Sequence, residues 1–251
     1  MNKTLQIANG IALVFTVIFN YFSNTGVFNG KTIGNVSDEY HTLITPAGYA
    51  FSIWGLIYLL LFAFAIYTER SLFSKNTQQP HSAVHKIGWW FVISCIANCA
   101  WIVSWLYGLT GLSVIILLVM LISLLTILLK TLNYQSGIEK WLINIPFQVY
   151  AGWITVAFTV ATASWLAQIE NFGFGISEVT WAMIILSIVT VIHLYMTWRK
   201  NTAVFSLVAV WAFFAIANED GQLHEISIFA TVVAILILIS SLGNMLKRKA
   251  I

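Results

Sequence analysis

LITPAGYAFSIWGLIYLLLFAFAIY, residues Leu43 to Tyr67, is uncharged and long enough to cross a bilayer. A spanning helix needs roughly 20 apolar residues at about 1.5 Å each, and this segment supplies them. Pro46 precedes the apolar run, where its missing N–H costs nothing and its fixed φ favours a helix start. Phe51, Trp54 and Tyr58 recur at steps of three and four, so a helix presents them on one face. A helix bathed in lipid alone has no use for such a face. Two readings are open: the face packs against neighbouring helices, or it lines a cavity for a flat apolar ligand.

The rest of the chain has the same character. Of its 251 residues, 59% are hydrophobic and 8% charged, against about 25% charged in a soluble domain. Most of the chain therefore lies in lipid. Apolar runs recur at roughly 5–23, 45–67, 87–107, 111–132, 142–168, 176–198, 202–218 and 224–245. The joins at 24–44 and 68–86 are long, and GLTG at 108–111 makes a tight turn. The first run has no small-residue cleavage site after it, so it is expected to remain as a helix.

Charge tests the count. With eight crossings and a cytoplasmic N-terminus, one side receives Lys3, Arg70, Lys75, Lys86, Lys130, Lys140, Arg199, Lys200, Lys247, Arg248 and Lys249. The other side receives only Lys31, as the positive-inside rule expects. It also collects Asp38, Glu39, Glu170, Glu178, Glu219, Asp220 and Glu225. The expected fold is thus an all-α integral membrane protein with eight transmembrane helices and both termini cytoplasmic, placed in the cell membrane. No charged residue falls near the middle of a span and no internal repeat is visible, which argues against an ion-driven carrier.

Polar and aromatic residues collect on particular faces. Ser94, Asn98, Trp101 and Trp105 follow one another at four, three and four in the third span. An amide in hydrocarbon must meet another helix, a water or a ligand. In the fifth span Gln148, Thr155, Thr159 and Thr162 lie within about 40° of one another, with Gly152 beside them. Small residues there permit close packing, and the hydroxyls can bond to their own backbone. Pro146 is expected to bend or start this helix, while Trp153 and Trp165 point about 120° apart. Cys95 and Cys99, one turn apart in an apolar run, suit buried packing better than a disulfide or a metal. His193 reads as a packed or interfacial histidine, with haem ligation as the alternative. Asp38, Glu39 and His41 in one outer loop, with Glu219, Asp220, His224 and Glu225 in another, form a solvated acidic face or a divalent-cation site if the loops meet. No nucleophile–base pair or phosphate loop is present, and no basic surface suits nucleic acid.

These residues resemble a known family. Pro46, Trp54 and Tyr58, then Asn98 and Trp101 in the Leu-Asn-x-x-Trp position, then Trp153 and Trp165 twelve apart, occur in the order of the translocator protein / tryptophan-rich sensory protein family (TspO/MBR). The chain departs from that pattern at Thr45, Gly48, Ser94 and Ala161, and its last-helix proline is Pro146, three residues early. The resemblance covers residues 1–173 and implies a five-helix bundle, with residues 174–251 adding three helices. It further implies a pocket closed by the loop between the first two spans and lined by Trp54, Tyr58, Asn98, Trp101 and Trp153. Family members bind porphyrins and, in some lineages, sterols. Aromatic faces suit a macrocycle, and one amide can orient it.

Together, Phe51, Trp54, Tyr58, Ser94, Asn98, Trp101, Gln148 and Trp153 are the expected ligand-binding residues. The expected ligand is a hydrophobic planar molecule, porphyrin-like or isoprenoid, with a porphyrin or haem bound as ligand rather than as a fixed cofactor. Membrane lipids are the other expected partner, and a second copy of the chain a further candidate. The competing readings are a transporter or scaffold subunit without ion coupling, and a membrane enzyme that modifies a porphyrin.

Overall fold

The computed structural model describes residues 2–73, 81–169 and 175–249; Lys75 and Glu170, part of the charge partition, lie outside them. Every regular element among the described residues is helical. In order these are α1 (Asn2–Ser23), α2 (Ile33–Glu39), a 3-10 turn (Gly48–Ser52), α3 (Ile53–Glu69), a second 3-10 turn (Arg70–Leu72), α4 (Ser82–Ile87), α5 (Trp90–Leu106), α6 (Thr110–Lys130), α7 (Gly137–Glu139), a π-helical turn (Lys140–Asn144), α8 (Ile145–Leu166), α9 (Glu178–Lys200), α10 (Ala203–Ala217) and α11 (His224–Lys249).

Among the described residues six stretches are long and apolar enough to cross a membrane: Lys3–Ser23, Gly48–Leu72, Thr110–Lys130, Gly137–Leu166, Glu178–Lys200 and His224–Lys247. The third and seventh expected runs form shorter helices, of 17 residues in α5 and 15 in α10. At 1.5 Å per residue these reach about 25 and 22 Å, short of a hydrocarbon core of about 30 Å. Around Pro46 the helix begins later than the apolar run. The chain makes a 3-10 turn over Gly48–Ser52 before α3 starts at Ile53. Pro146 sits in the first turn of α8, where its missing N–H leaves the carbonyl one turn back without a ladder partner. The chain opens there into a π-helical turn, Lys140–Asn144.

The chain forms two compact units. The first takes in the described parts of 1–33 and 54–151. Within it α1 packs along α5, and α5 and α6 form an antiparallel hairpin. Their joint turns at Gly108, whose φ of +71° only glycine adopts without strain. The Ser104 and Ser113 hydroxyls meet across the hairpin at 3.1 Å, and Leu117, Met120, Leu124 and Ile127 form its buried row. His81 starts α4 by accepting the Ala83 N–H at Nδ1, 3.2 Å. That leaves Nε2 to donate to Glu139 at 3.1 Å.

The second unit takes in 34–53 and the described parts of 152–251. Its core is the bundle of α9, α10 and α11. Phe205, Ala209, Ala212, Phe213, Ala215 and Ile216 of α10 are all buried, so this short helix is covered by protein rather than lipid. The loop of residues 40–52 is tied to the unit by hydrogen bonds. The Ala47 N–H donates to the Ala215 carbonyl (3.1 Å), Trp211 Nε1 to Ala50 (3.2 Å), Gln222 Nε2 to Leu43 (3.1 Å) and Ser164 Oγ to Tyr40 (2.9 Å). Phe51 falls in this unit, and Trp54 and Tyr58 in the first.

Candidate functional site

In the first unit Trp54 is the hub of an aromatic cluster. Its ring stacks on Tyr58 (5.5 Å, 20°) and on Trp101 (6.0 Å, 28°), and meets Tyr150 edge to face (5.8 Å, 72°). Three segments supply these rings: α3, α5 and the first turns of α8. The i, i+4 spacing of Trp54 and Tyr58 is what lets one ring lie over the other.

Asn98 ties the cluster to α1. Its Oδ1 accepts from Asn20 Nδ2 at 2.7 Å, and its own Nδ2 donates to the Tyr150 hydroxyl at 3.1 Å. The Tyr150 hydroxyl passes its proton towards Met120 Sδ, 3.4 Å away. Asn20 uses its second N–H on the Thr16 carbonyl, 2.9 Å. Both ends of the Asn98 amide are thereby assigned, and the residue is fully buried. Asn20, Tyr150 and Met120 were not singled out by the sequence. The signal for Asn20 was available: Asn9, Thr16 and Asn20 are spaced seven and four apart and mark a polar face of α1.

Two polar groups of the cluster remain unused. Trp101 Nε1 is buried and has no hydrogen-bond partner among the described residues. The Tyr58 hydroxyl lies within reach of Asn98 but makes no hydrogen bond of good geometry. A buried donor left without an acceptor costs about 1–3 kcal/mol.

The other expected residues are placed elsewhere. Ser94 Oγ donates to its own helix at the Phe91 carbonyl, 2.7 Å. Gln148 Nε2 donates to Asn144 Oδ1, and Asn144 Nδ2 to the Thr131 carbonyl (3.0 Å), a network that ties the start of α8 to the end of α6. Phe51 and Trp153 meet each other edge to face in the second unit, with ring centres 6.0 Å apart. Thr159 and Thr162 bond back to the Thr155 and Phe158 carbonyls. Cys95 and Cys99 are free thiols.

His193 is fully buried in the second unit and stacks on Phe205 at 4.6 Å. Neither ring nitrogen has a hydrogen-bond partner among the described residues. Replacing a buried, unpartnered polar ring by an apolar side chain is close to neutral or stabilising. His193→Leu is therefore expected to hold its melting midpoint in detergent or raise it by the equivalent of about 1 kcal/mol. A loss beyond 3 kcal/mol on the same scale would mean that the imidazole has a partner.

The two acidic, histidine-bearing loops do meet, at His41 Nε2 and Glu219 Oε1, 3.8 Å apart. Among the described residues no three of His, Cys, Asp and Glu come together in a metal-holding arrangement. Partial burial pushes the Glu219 carboxyl above its usual range, Asp38 and Asp220 add to the rise, and His41 opposes it. A carboxyl raised on folding favours the fold while protonated. Its stabilising effect is lost as pH climbs from its ordinary value near 4.5 through the raised one. Glu219→Gln should flatten that part of the stability–pH curve and gain on the wild type towards neutral pH. Melting midpoints measured from pH 4 to pH 8 check this, and parallel curves would refute it.

A family profile described as TSPO-like protein matches residues 6–243, and it runs on through α9 and α10 into α11. No match was found among curated proteins or among solved structures. The chain, a helical protein of apolar membrane-spanning segments, belongs to the TSPO-like family.

Proposed function

We propose that the protein binds a flat hydrophobic ligand, porphyrin-like or isoprenoid, at the groups around Trp54, and that it serves as a sensor or carrier of that ligand. The observation that supports this reading is the pair of polar groups left over in the cluster, Trp101 Nε1–H and the Tyr58 hydroxyl. Both stand beside rings stacked on Trp54. A ligand with a ring face and an acceptor atom exchanges ring–ring stacking for ring–ligand stacking and takes up the unused donors. Asn98, held by Asn20, fixes in turn the Tyr150 ring that meets Trp54 edge to face.

The experiment is a titration of the purified protein with protoporphyrin, followed by tryptophan quenching. Tyr58→Phe removes one unused polar group and should leave the melting midpoint close to wild type, whereas Trp101→Phe also shortens a buried ring stacked on Trp54 and should lower it. Each should still weaken binding by up to about tenfold, the value of one hydrogen bond. Trp54→Ala combined with Asn98→Ala should abolish binding; a double variant that binds like the wild type removes the site.

The membrane arrangement that goes with this function has eight crossings, α5 and α10 included, with both termini cytoplasmic in the cell membrane. Residues 1–173 are its five-helix TspO/MBR-like part and 174–251 its three-helix extension. The bias of basic residues supports this orientation. An impermeant thiol label should reach Lys31→Cys from outside intact cells and miss Lys140→Cys; the reverse result would invert the topology.

A further inference from the structure

The first unit holds a second polar cluster, remote in sequence from the Asn98 network, where α1 passes the end of α3. Gln6 and Asn9 are buried on α1, yet Gln6 Oε1 and Asn9 Oδ1 have no hydrogen-bond partner among the described residues. Glu69 Oε1, at the end of α3, is a third buried oxygen in the same condition. The Gln6 amide cannot rotate to escape, because its Nε2 donates to the Thr68 carbonyl (2.8 Å) and to Ser71 Oγ (2.9 Å), on either side of Glu69. The Glu69 carboxylate itself lies against Gly10, next to Asn9. A Cβ at Gly10 would stand 2.7 Å from Oε2 and 3.3 Å from Oε1.

Among the described residues no basic side chain forms an ion pair with Glu69. Arg70, the next residue, lays its guanidinium over the Tyr67 ring at 4.7 Å instead. The three unmet atoms are all oxygens, two of amides and one of a carboxylate. Such a set is met by a hydrogen-bond donor or by positive charge, and not by another acceptor. A proton or donor on Glu69 bridges only two oxygens, whereas a metal ion seated among them can take all three. Carboxylate and amide oxygens are the ligands of a hard cation. The site holds one carboxylate, so a single positive charge balances it and a divalent ion leaves a net charge buried.

We propose that Gln6, Asn9 and Glu69 form a binding site for a monovalent alkali-metal ion that clamps α1 to the end of α3. The site lies at the end of a span and not at its middle. Its role is therefore to hold two helices together rather than to couple ion flow to transport.

The test uses the full chain in detergent at pH 8 and follows binding of radioactive sodium by scintillation proximity. Saturable binding, displaced by sodium or potassium chloride and not by choline chloride, is the expected result. Glu69→Gln should weaken it at least tenfold. The melting midpoint of the wild type should also rise by several degrees in sodium chloride over choline chloride at equal ionic strength. Should Glu69→Gln fail to fold, Asn9→Ala keeps the carboxylate, removes one oxygen, and should still weaken binding several-fold. The proposal is overturned if displaceable sodium is absent from the wild type, or if Glu69→Gln binds as tightly. Displacement by calcium at far lower concentration than sodium overturns it too. So does a midpoint that follows pH and ignores sodium, which would mean a protonated carboxyl alone.

Discussion

Gly152→Ala is expected to lower the melting midpoint of the protein, although alanine is the better helix former. A Cβ at Gly152 would sit 2.5 Å from the Phe205 carbonyl oxygen, 3.3 Å from the Phe205 carbonyl carbon and 3.2 Å from Val208 Cβ. The first of these is backbone of α10 and has no rotamer by which to retreat, so α8 and α10 must separate. Overpacking of this kind costs about 1–3 kcal/mol, while the gain in helix propensity returns about 1 kcal/mol. The clash wins, and at about 2–4 °C per kcal/mol for a chain of this size the loss is a few degrees. Gly152→Leu should be worse, since it adds a side chain where a methyl group already fails. Gly55→Ala is the control. It too is helical, in α3, but a Cβ there meets nothing within 4 Å, so only the propensity gain is left and the midpoint should rise slightly. Thermal melts by circular dichroism in one detergent compare the three. A Gly152→Ala protein as stable as the wild type would mean that the α8–α10 approach is looser than described.

The glycine contrast also shows what could be read from the sequence. Gly152 stood beside threonines in an apolar run, so close packing was legible, but its partner, the Phe205 backbone, is a tertiary fact. The long spans were legible for the same reason that they form: uninterrupted apolar runs have no other way to satisfy their backbones in lipid. The pattern was weaker where bonds from distant residues reset the backbone. Residues 48–52 make a 3-10 turn while Trp211 and Ala215, far along the chain, bond to Ala50 and Ala47. Periodicity cannot see those partners. A linear reading likewise has no access to the interleaving by which 34–53 joins 152–251. Trp54, Tyr58, Asn98 and Trp101 were legible because aromatic and amide groups at helical spacing in lipid demand an explanation. Tyr150 was not, because one tyrosine in an apolar helix reads as ordinary packing. Ser94 has the same polar character, but its hydroxyl turns back to the Phe91 carbonyl, and spacing does not distinguish such a hydroxyl from one that reaches across.

Asn98→Leu is expected to be the most damaging single change in the first unit. It takes the acceptor from Asn20 Nδ2 (2.7 Å) and the donor from the Tyr150 hydroxyl (3.1 Å) together. The Asn20 hydrogen has nowhere else to go in a buried setting, because its sister already serves the Thr16 carbonyl. One orphaned donor costs about 1–3 kcal/mol, and the Tyr150 hydroxyl, which keeps Met120 Sδ as its acceptor, adds a smaller amount. A total of about 2–4 kcal/mol follows. Asn20→Leu alone should also destabilise, by leaving Asn98 Oδ1 unmet. The two together should cost less than the sum of their separate effects, because each change removes the group that the other orphans, with a coupling of about 0.5–3 kcal/mol. Tyr150→Phe should fall between, since it strands only one Asn98 hydrogen. Chemical denaturation of the four proteins in one detergent measures all the terms. Additive losses would show that Asn20 and Asn98 act independently, and the amide would then owe its position to the surrounding rings.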